Sequence, residues 1–269
     1  MARRNNQLIE QDIAVSGGSV HIIQFGSGGA SLVILPGLRL SSIRGSGRVL
    51  SLYYRIFAKD FRVTVIDRKE PVQEGCTIHD LAEDTFAAMT ACGIREACIY
   101  GASQGGMIAQ DISLNHPETV RKLILAVTLC RPNDVLKEAV QTWIGLVKEG
   151  NNAALVRDYI ERGYSPAYRR KYRLIMPAAE KVLKVEDPER FRILAESCLT
   201  CDLYDRLRDI RCPVLVLGGG QDRIVSGEAS REIAALTNAQ LHMYEDLSHE
   251  AYSEAPDFNK RIFAFLTEQ

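Results

Sequence analysis

No apolar run in this 269-residue chain approaches the roughly 18 residues that a membrane-crossing helix needs. The opening stretch MARRNNQLIEQDIAV has two arginines but no apolar segment behind them, so it does not read as a secretory signal. An excess of one charge is missing too. Thirty-three Lys and Arg stand against 34 Asp and Glu, a net charge of -1, which gives no global pull toward nucleic acid or an anionic membrane. The seven cysteines are odd in number and scattered, which favours reduced thiols in a cytoplasm over a disulfide framework. Cys198 and Cys201, in CLTC, are the one close pair, and they lack the second pair or nearby histidine that zinc chemistry calls for. Cys98 and Cys212 sit in or beside apolar runs, where a thiol acts as a small hydrophobe. Nucleotide signatures are absent as well. GASQGGMIAQ has no Lys-Ser/Thr after its glycines, and GGGQDR lacks the spacing of a dinucleotide turn.

What the chain does have is a regular alternation. LIEQDIAV and SVHIIQF, parted by SGG, read as a hairpin. Six apolar runs follow at 31–37, 62–68, 96–102, 122–128, 212–220 and 239–247, with helical patterns between most of them. Runs apolar on both faces suit the interior of a parallel sheet covered by helices. The fold class is therefore α/β, a mostly parallel, doubly wound sheet of about eight strands with the hairpin at its edge. In TIHDLAEDTFAAMTACGI, Thr77 and Asp80 form a capping pattern, and Ile78, Leu81, Phe86 and Met89 recur at near-helical intervals.

From 132 to 207 the rhythm breaks: the pattern is helical, jointed at Asn151, Gly163, Pro166, Pro177 and Pro188. This predicts a helical cap inserted between two strands, with the core formed by 1–131 and 208–269.

Open α/β sheets bind ligands at the carboxyl ends of their strands. The residues just beyond those ends are PGLRL, GASQGG, GGGQDRIV and DLSHEAY, which offer Ser103, Asp222 and His249 in that chain order. Gly101-Ala102-Ser103-Gln104-Gly105 fits G-x-S-x-G between a strand and a helix. There the serine occupies a strained turn, and its neighbours two residues away must be small. A serine hydroxyl is a weak nucleophile that needs a base, usually histidine, oriented by a carboxylate. His249 and Asp222 supply those roles, and the backbone N–H groups of Gln104 and Leu38 are the expected oxyanion donors.

With LPGL at 35–38, GASQGG at 101–106, GGGQDRIV at 218–225 and LSHEAY at 247–252, the chain resembles the α/β-hydrolase-fold enzymes that carry a helical cap after the sixth strand. The resemblance spans nearly the whole length and implies a serine hydrolase acting through Ser103, His249 and Asp222. It departs from the common pattern in having Pro36-Gly37 where His-Gly is frequent, and Gln104 after the nucleophile; only backbone is required at either place.

Rival readings exist for several residues. Asp134, just past the sixth strand, stands where some relatives of this fold place their carboxylate; Asp222 is preferred because it lies directly in a glycine-rich loop after a strand. Asp246 is too near His249 and reads as a turn residue. His21 and His242 lie within strands, His116 precedes Pro117, and His79 falls in the first turn of a helix. Trp143, Tyr164, Tyr168 and Met176 are candidates for the substrate pocket, and lid packing explains them equally well. Arg157, Arg162, Arg169, Arg170, Lys171 and Arg173 read as a solvated helix face, with anion binding as the alternative.

The expected activity is hydrolysis of a small carboxylic ester or related acyl bond through an acyl-enzyme, in the cytoplasm, with no metal or organic cofactor. Carbon–carbon hydrolysis, lactone opening, acyl transfer or a non-catalytic receptor remain open on the same scaffold.

Overall fold

A computed structural model of the protein describes residues 7–176, 178 and 183–268; Pro177, one of the expected joints, lies outside them. Strands β1 (Ile9–Val15) and β2 (Gly18–Phe25) form the hairpin, turning through Gly17 at a φ of 75° that glycine adopts without strain. The remaining strands are β3 (Ala30–Leu35), β4 (Phe61–Glu70), β5 (Ala97–Ala102), β6 (Val120–Ala126), β7 (Val214–Gly219) and β8 (Gln240–Tyr244). They make one eight-stranded sheet in the order β1-β2-β4-β3-β5-β6-β7-β8. β1 and β2 pair antiparallel, β2 pairs antiparallel with β4, and every later pairing is parallel.

Period-two alternation divides the central strands between two apolar layers. Val33, Leu35, Ile99, Leu123, Leu125 and Val216 join one buried cluster. Their neighbours Leu32, Ile34, Cys98, Tyr100, Ile124 and Leu217 join the other. Helices α1 (Gly47–Tyr53), α2 (Ile78–Ala91) and α3 (Gln104–Asn115) follow β3, β4 and β5 respectively. α1 falls in a stretch to which the sequence pattern assigned no element. On α2, Thr77 and Asp80 form a reciprocal capping box, as their spacing predicted. Phe86 departs from the expected core face. It is only half-buried and stacks on the His116 ring at 3.6 Å, while Ala82, Thr85 and Ala88 occupy the core side. The cause is helical phase: at 100° per residue Phe86 falls at the edge of the buried stripe.

Between β6 and β7 run α4 (Asp134–Lys148), α5 (Asn152–Gly163), α6 (Pro166–Lys171) and α7 (Pro188–Ser197), with no strand among the described residues there. Each starts where its sequence allows a side-chain cap: Asn133, Asn151, Ser165 and Asp187 accept from the backbone N–H three residues on. Pro166 and Pro188 occupy the first helical position, where a missing N–H costs nothing. After β7 come α8 (Gly227–Thr237), α9 (Ala251–Glu254) and α10 (Phe258–Thr267). No helix among the described residues is long and apolar enough to cross a membrane.

Candidate active site

The turn from β5 into α3 holds Ser103 at φ 52°, ψ -121°, a conformation that non-glycine residues rarely adopt. Its N–H donates to the Ala126 carbonyl at 2.8 Å, and its own carbonyl accepts from the Thr128 hydroxyl at 2.7 Å, so strained backbone is pinned from both sides. The flanking glycines are sterically required. A Cβ on Gly101 would come within 2.3 Å of the Gly105 carbonyl oxygen, and one on Gly105 within 2.0 Å of the Leu35 carbonyl oxygen. At Gly37 a Cβ would lie 3.1 Å from the Ser103 Cβ, so the loop after β3 packs its backbone against the serine. That loop carries Leu38.

Asp222 sits beyond β7 with its side chain 1% exposed. Its Oδ1 accepts from the N–H groups of Ile224 and Val225 at 2.8 and 2.9 Å, and its Oδ2 meets His249 Nδ1 at 2.8 Å. An ionised carboxylate only accepts, so His249 carries its proton on Nδ1, leaving Nε2 as an acceptor in the neutral ring. The two loops are sutured to each other: Gln221 N–H donates to the Leu247 carbonyl at 2.9 Å, and the Ser248 hydroxyl reaches the carbonyls of Gln221 and Arg162. His249 is buried, which on its own would lower its pKa. The charge and hydrogen bond of Asp222, with Glu250 adding, outweigh that burial and raise it above the ordinary imidazole value.

Ser103 and His249 line one small cavity of about 20 Å³, space for roughly a single water molecule. Its walls include Leu38, Trp143, Tyr159, Cys198 and Tyr252. A groove of about 660 Å³ lined by Arg39, Arg44, Glu70 and Arg190 is far larger but contains no histidine.

Of the four aromatic and methionine candidates, the structure brings only Trp143 to this cavity. Tyr164 and Tyr168 stack on each other at 4.7 Å outside it, and Met176 is not among its lining residues. Asp134 is fully exposed at the start of α4, 3.5 Å from Lys137, and does not line the cavity. Arg162 bonds Asp158 and Glu138 at 2.9 and 3.0 Å, and none of the six basic residues of that region lines the cavity. Cys198 and Cys201 are separate buried thiols. His79, more than half exposed, pairs with Asp111 at 3.0 Å. His116 meets Glu83 at 2.7 Å.

Sequence reasoning missed Tyr159, Tyr252 and Glu250. The buried Glu250 carboxylate accepts from the Tyr159 and Tyr252 hydroxyls at 3.0 and 2.7 Å, so it orients two cavity walls from different elements. No local signal singles them out: Glu250 stands among Asp246, Ser248, His249 and Glu254.

Residues 75–256, more than half of the chain, match the family model described as serine aminopeptidase, S33. A protein named "Putative carbamate hydrolase RutD" from Caulobacter sp. strain K31 is 26% identical over 237 residues, covering 84% of this chain and 88% of that one. A second protein of that name, from Agrobacterium fabrum, is 25% identical over 91% of this chain and 92% of its own. Among solved structures, the enol-lactonase from Burkholderia xenovorans LB400 superposes with a TM-score of 0.84 at 23% identity, over 96% of this chain and all of that one. MGS-M2, an alpha/beta hydrolase from a Medee basin deep-sea metagenome, gives a TM-score of 0.88 at 19% identity, over 96% and 98%. The chain belongs to the serine aminopeptidase S33 family of hydrolases and has the α/β-hydrolase fold.

Proposed function

We propose that this hydrolase cleaves a small carboxylic ester or related acyl bond with Ser103 as nucleophile, His249 as general base and acid, and Asp222 as the carboxylate that orients it. One observation carries the reading: a strained serine shares a cavity with a histidine whose Nδ1 is held by a buried aspartate. Ser103 Oγ attacks the carbonyl carbon while its proton passes to His249 Nε2. The N–H groups of Leu38 and Gln104 receive the oxyanion. Collapse of the tetrahedral species expels the leaving group with that proton, and water then hydrolyses the acyl-enzyme with His249 again as base. A fluorophosphonate probe tests this directly. Stoichiometric labelling of Ser103 is expected, and a protein that stays unlabelled would instead be a receptor with an idle serine.

A lactone or carbamate is the second reading, favoured by the names of the relatives and neighbours. Both present the same electrophilic carbonyl to Ser103.

Cavity size sets an expectation on acyl length. With about 20 Å³ beside Ser103, kcat/KM should fall at least about tenfold from p-nitrophenyl acetate to the hexanoate. A flat or rising series would refute it.

The pH profile follows from the raised pKa of His249. The base must be neutral, so kcat/KM should rise with pH through a midpoint above the ordinary imidazole value of about 6.5. The linkage to stability has the opposite sense: a raised folded-state pKa stabilises the fold below the unfolded value, and this is lost as pH rises through the folded one. A rate profile with its acid limb below the ordinary value would contradict the assignment of His249.

A further inference from the structure

The residue after the nucleophile is chemically required only for its N–H, yet the Gln104 side chain is almost wholly buried and fully engaged. Its Oε1 accepts from Arg68 Nε at 3.1 Å. Its Nε2 donates to the Leu194 carbonyl at 2.6 Å and to the Ser197 hydroxyl at 3.1 Å, both on α7. Arg68, at the end of β4, is itself 4% exposed, and its Nη2 donates to the Pro36 carbonyl at 2.5 Å. One guanidinium therefore grips the loop that carries Leu38 and the residue that carries the other expected oxyanion donor. Desolvation lowers the Arg68 pKa to about 10, which leaves it charged at neutral pH. Its neighbour Asp67 accepts from Arg190, also on α7, at 3.2 Å and from the Ile43 N–H at 2.9 Å. α7 is thus tied to the end of β4 by two routes, one of which runs through Gln104.

We propose that Arg68 and the Gln104 side chain are positioning residues for the oxyanion site: they lock the Leu38 and Gln104 N–H groups into one geometry and make that geometry depend on the docking of α7. This rests on the serine hydrolase reading given above. A planar guanidinium suits the task because its donors diverge at fixed angles, so two acceptors on separate loops are held in register. An ammonium at the same place is a single point charge on a flexible stem and reaches one of the two. Because the transition state gains its hydrogen bonds only where donors are already aimed, a displacement of about 1 Å in either loop costs rate rather than substrate binding.

The test uses p-nitrophenyl acetate as substrate and methyl trifluoromethyl ketone as inhibitor. Addition of Ser103 Oγ to the ketone carbon, with the proton passing to His249, creates an oxyanion hemiketal that reads the donors directly. Arg68→Met and Gln104→Met should each lower kcat by about 10- to 100-fold with KM changed by no more than about twofold. Each should weaken the ketone by the same factor as kcat, and the acid limb of the pH profile should stay where it is in the wild type. Arg68→Lys should fall between. If Arg68→Met does not fold because the Pro36 carbonyl and Gln104 Oε1 both lose their donor, Gln104→Met still decides, since it keeps Arg68 and its bond to the Pro36 carbonyl. Wild-type ketone affinity alongside a lowered kcat, or a rise confined to KM, would overturn the proposal. Failure of the underlying reading looks different, because Ser103→Ala would then keep its activity, and the proposal would fall with it.

Discussion

Ser103→Ala is expected to remove hydrolysis of p-nitrophenyl acetate, with kcat falling by a factor on the order of 10⁶, as when the nucleophile of a serine hydrolase is deleted. Removing Oγ leaves the strained turn, its pinning bonds to Ala126 and Thr128, and the flanking glycines in place. Stability should therefore change by less than about 1 kcal/mol, the usual range for a change that removes no packed group. Ser103→Gly separates strain from chemistry. At φ 52° glycine carries no Cβ penalty, so this variant should be more stable than Ser103→Ala by about 1 kcal/mol and equally inactive. Urea unfolding of the three proteins measures the difference. Retained activity in either variant would remove Ser103 from the mechanism.

Asp222→Asn carries the second large effect, a loss of about 10⁴-fold in kcat near neutral pH. The direction follows from three hydrogen bonds. The Ile224 and Val225 N–H groups both point at Oδ1, so an amide at this position turns its oxygen to them and its NH2 toward His249 Nδ1. The imidazole must then accept at Nδ1 and carry its proton on Nε2, which is the wrong tautomer for a base. Removing the carboxylate charge also lowers the His249 pKa, so the acid limb of the remaining activity should move to lower pH. Asp134→Asn is the control. That side chain is fully exposed and paired only with Lys137, so its replacement should leave kcat within about twofold. The reverse ranking would hand the orienting role to Asp134.

Different parts of this molecule were legible to different depths. The parallel sheet was readable because strands buried on both faces must be apolar along their whole length, as ACIYGA and VLVLGG are. The serine turn was readable because its glycines answer to backbone atoms a few residues away, a constraint that leaves its mark in local sequence. Helices α4 to α7 were also visible as a region, through their prolines and capping residues. Which of their side chains face Ser103 was not. Tyr159 and Tyr168 are equally plausible as words in a helical pattern, yet one lines the cavity and the other stacks on Tyr164 outside it. Helical phase, crossing angle and the partner across the gap decide that, and none of these is local.

Gln104 marks the boundary most clearly. Read along the chain, it is a polar residue beside a serine, needed for one N–H. In three dimensions its amide joins Arg68, 36 positions earlier, to Leu194, 90 positions later. Local sequence by itself determined the fold class, the serine turn and the strand ends at which Asp222 and His249 stand, because backbone sterics and burial act over a few residues. Tertiary structure alone decided the cavity walls, the Glu250–tyrosine contacts and the Arg68–Gln104–α7 link, because each depends on side chains that meet only after the sheet has closed and the helices have docked.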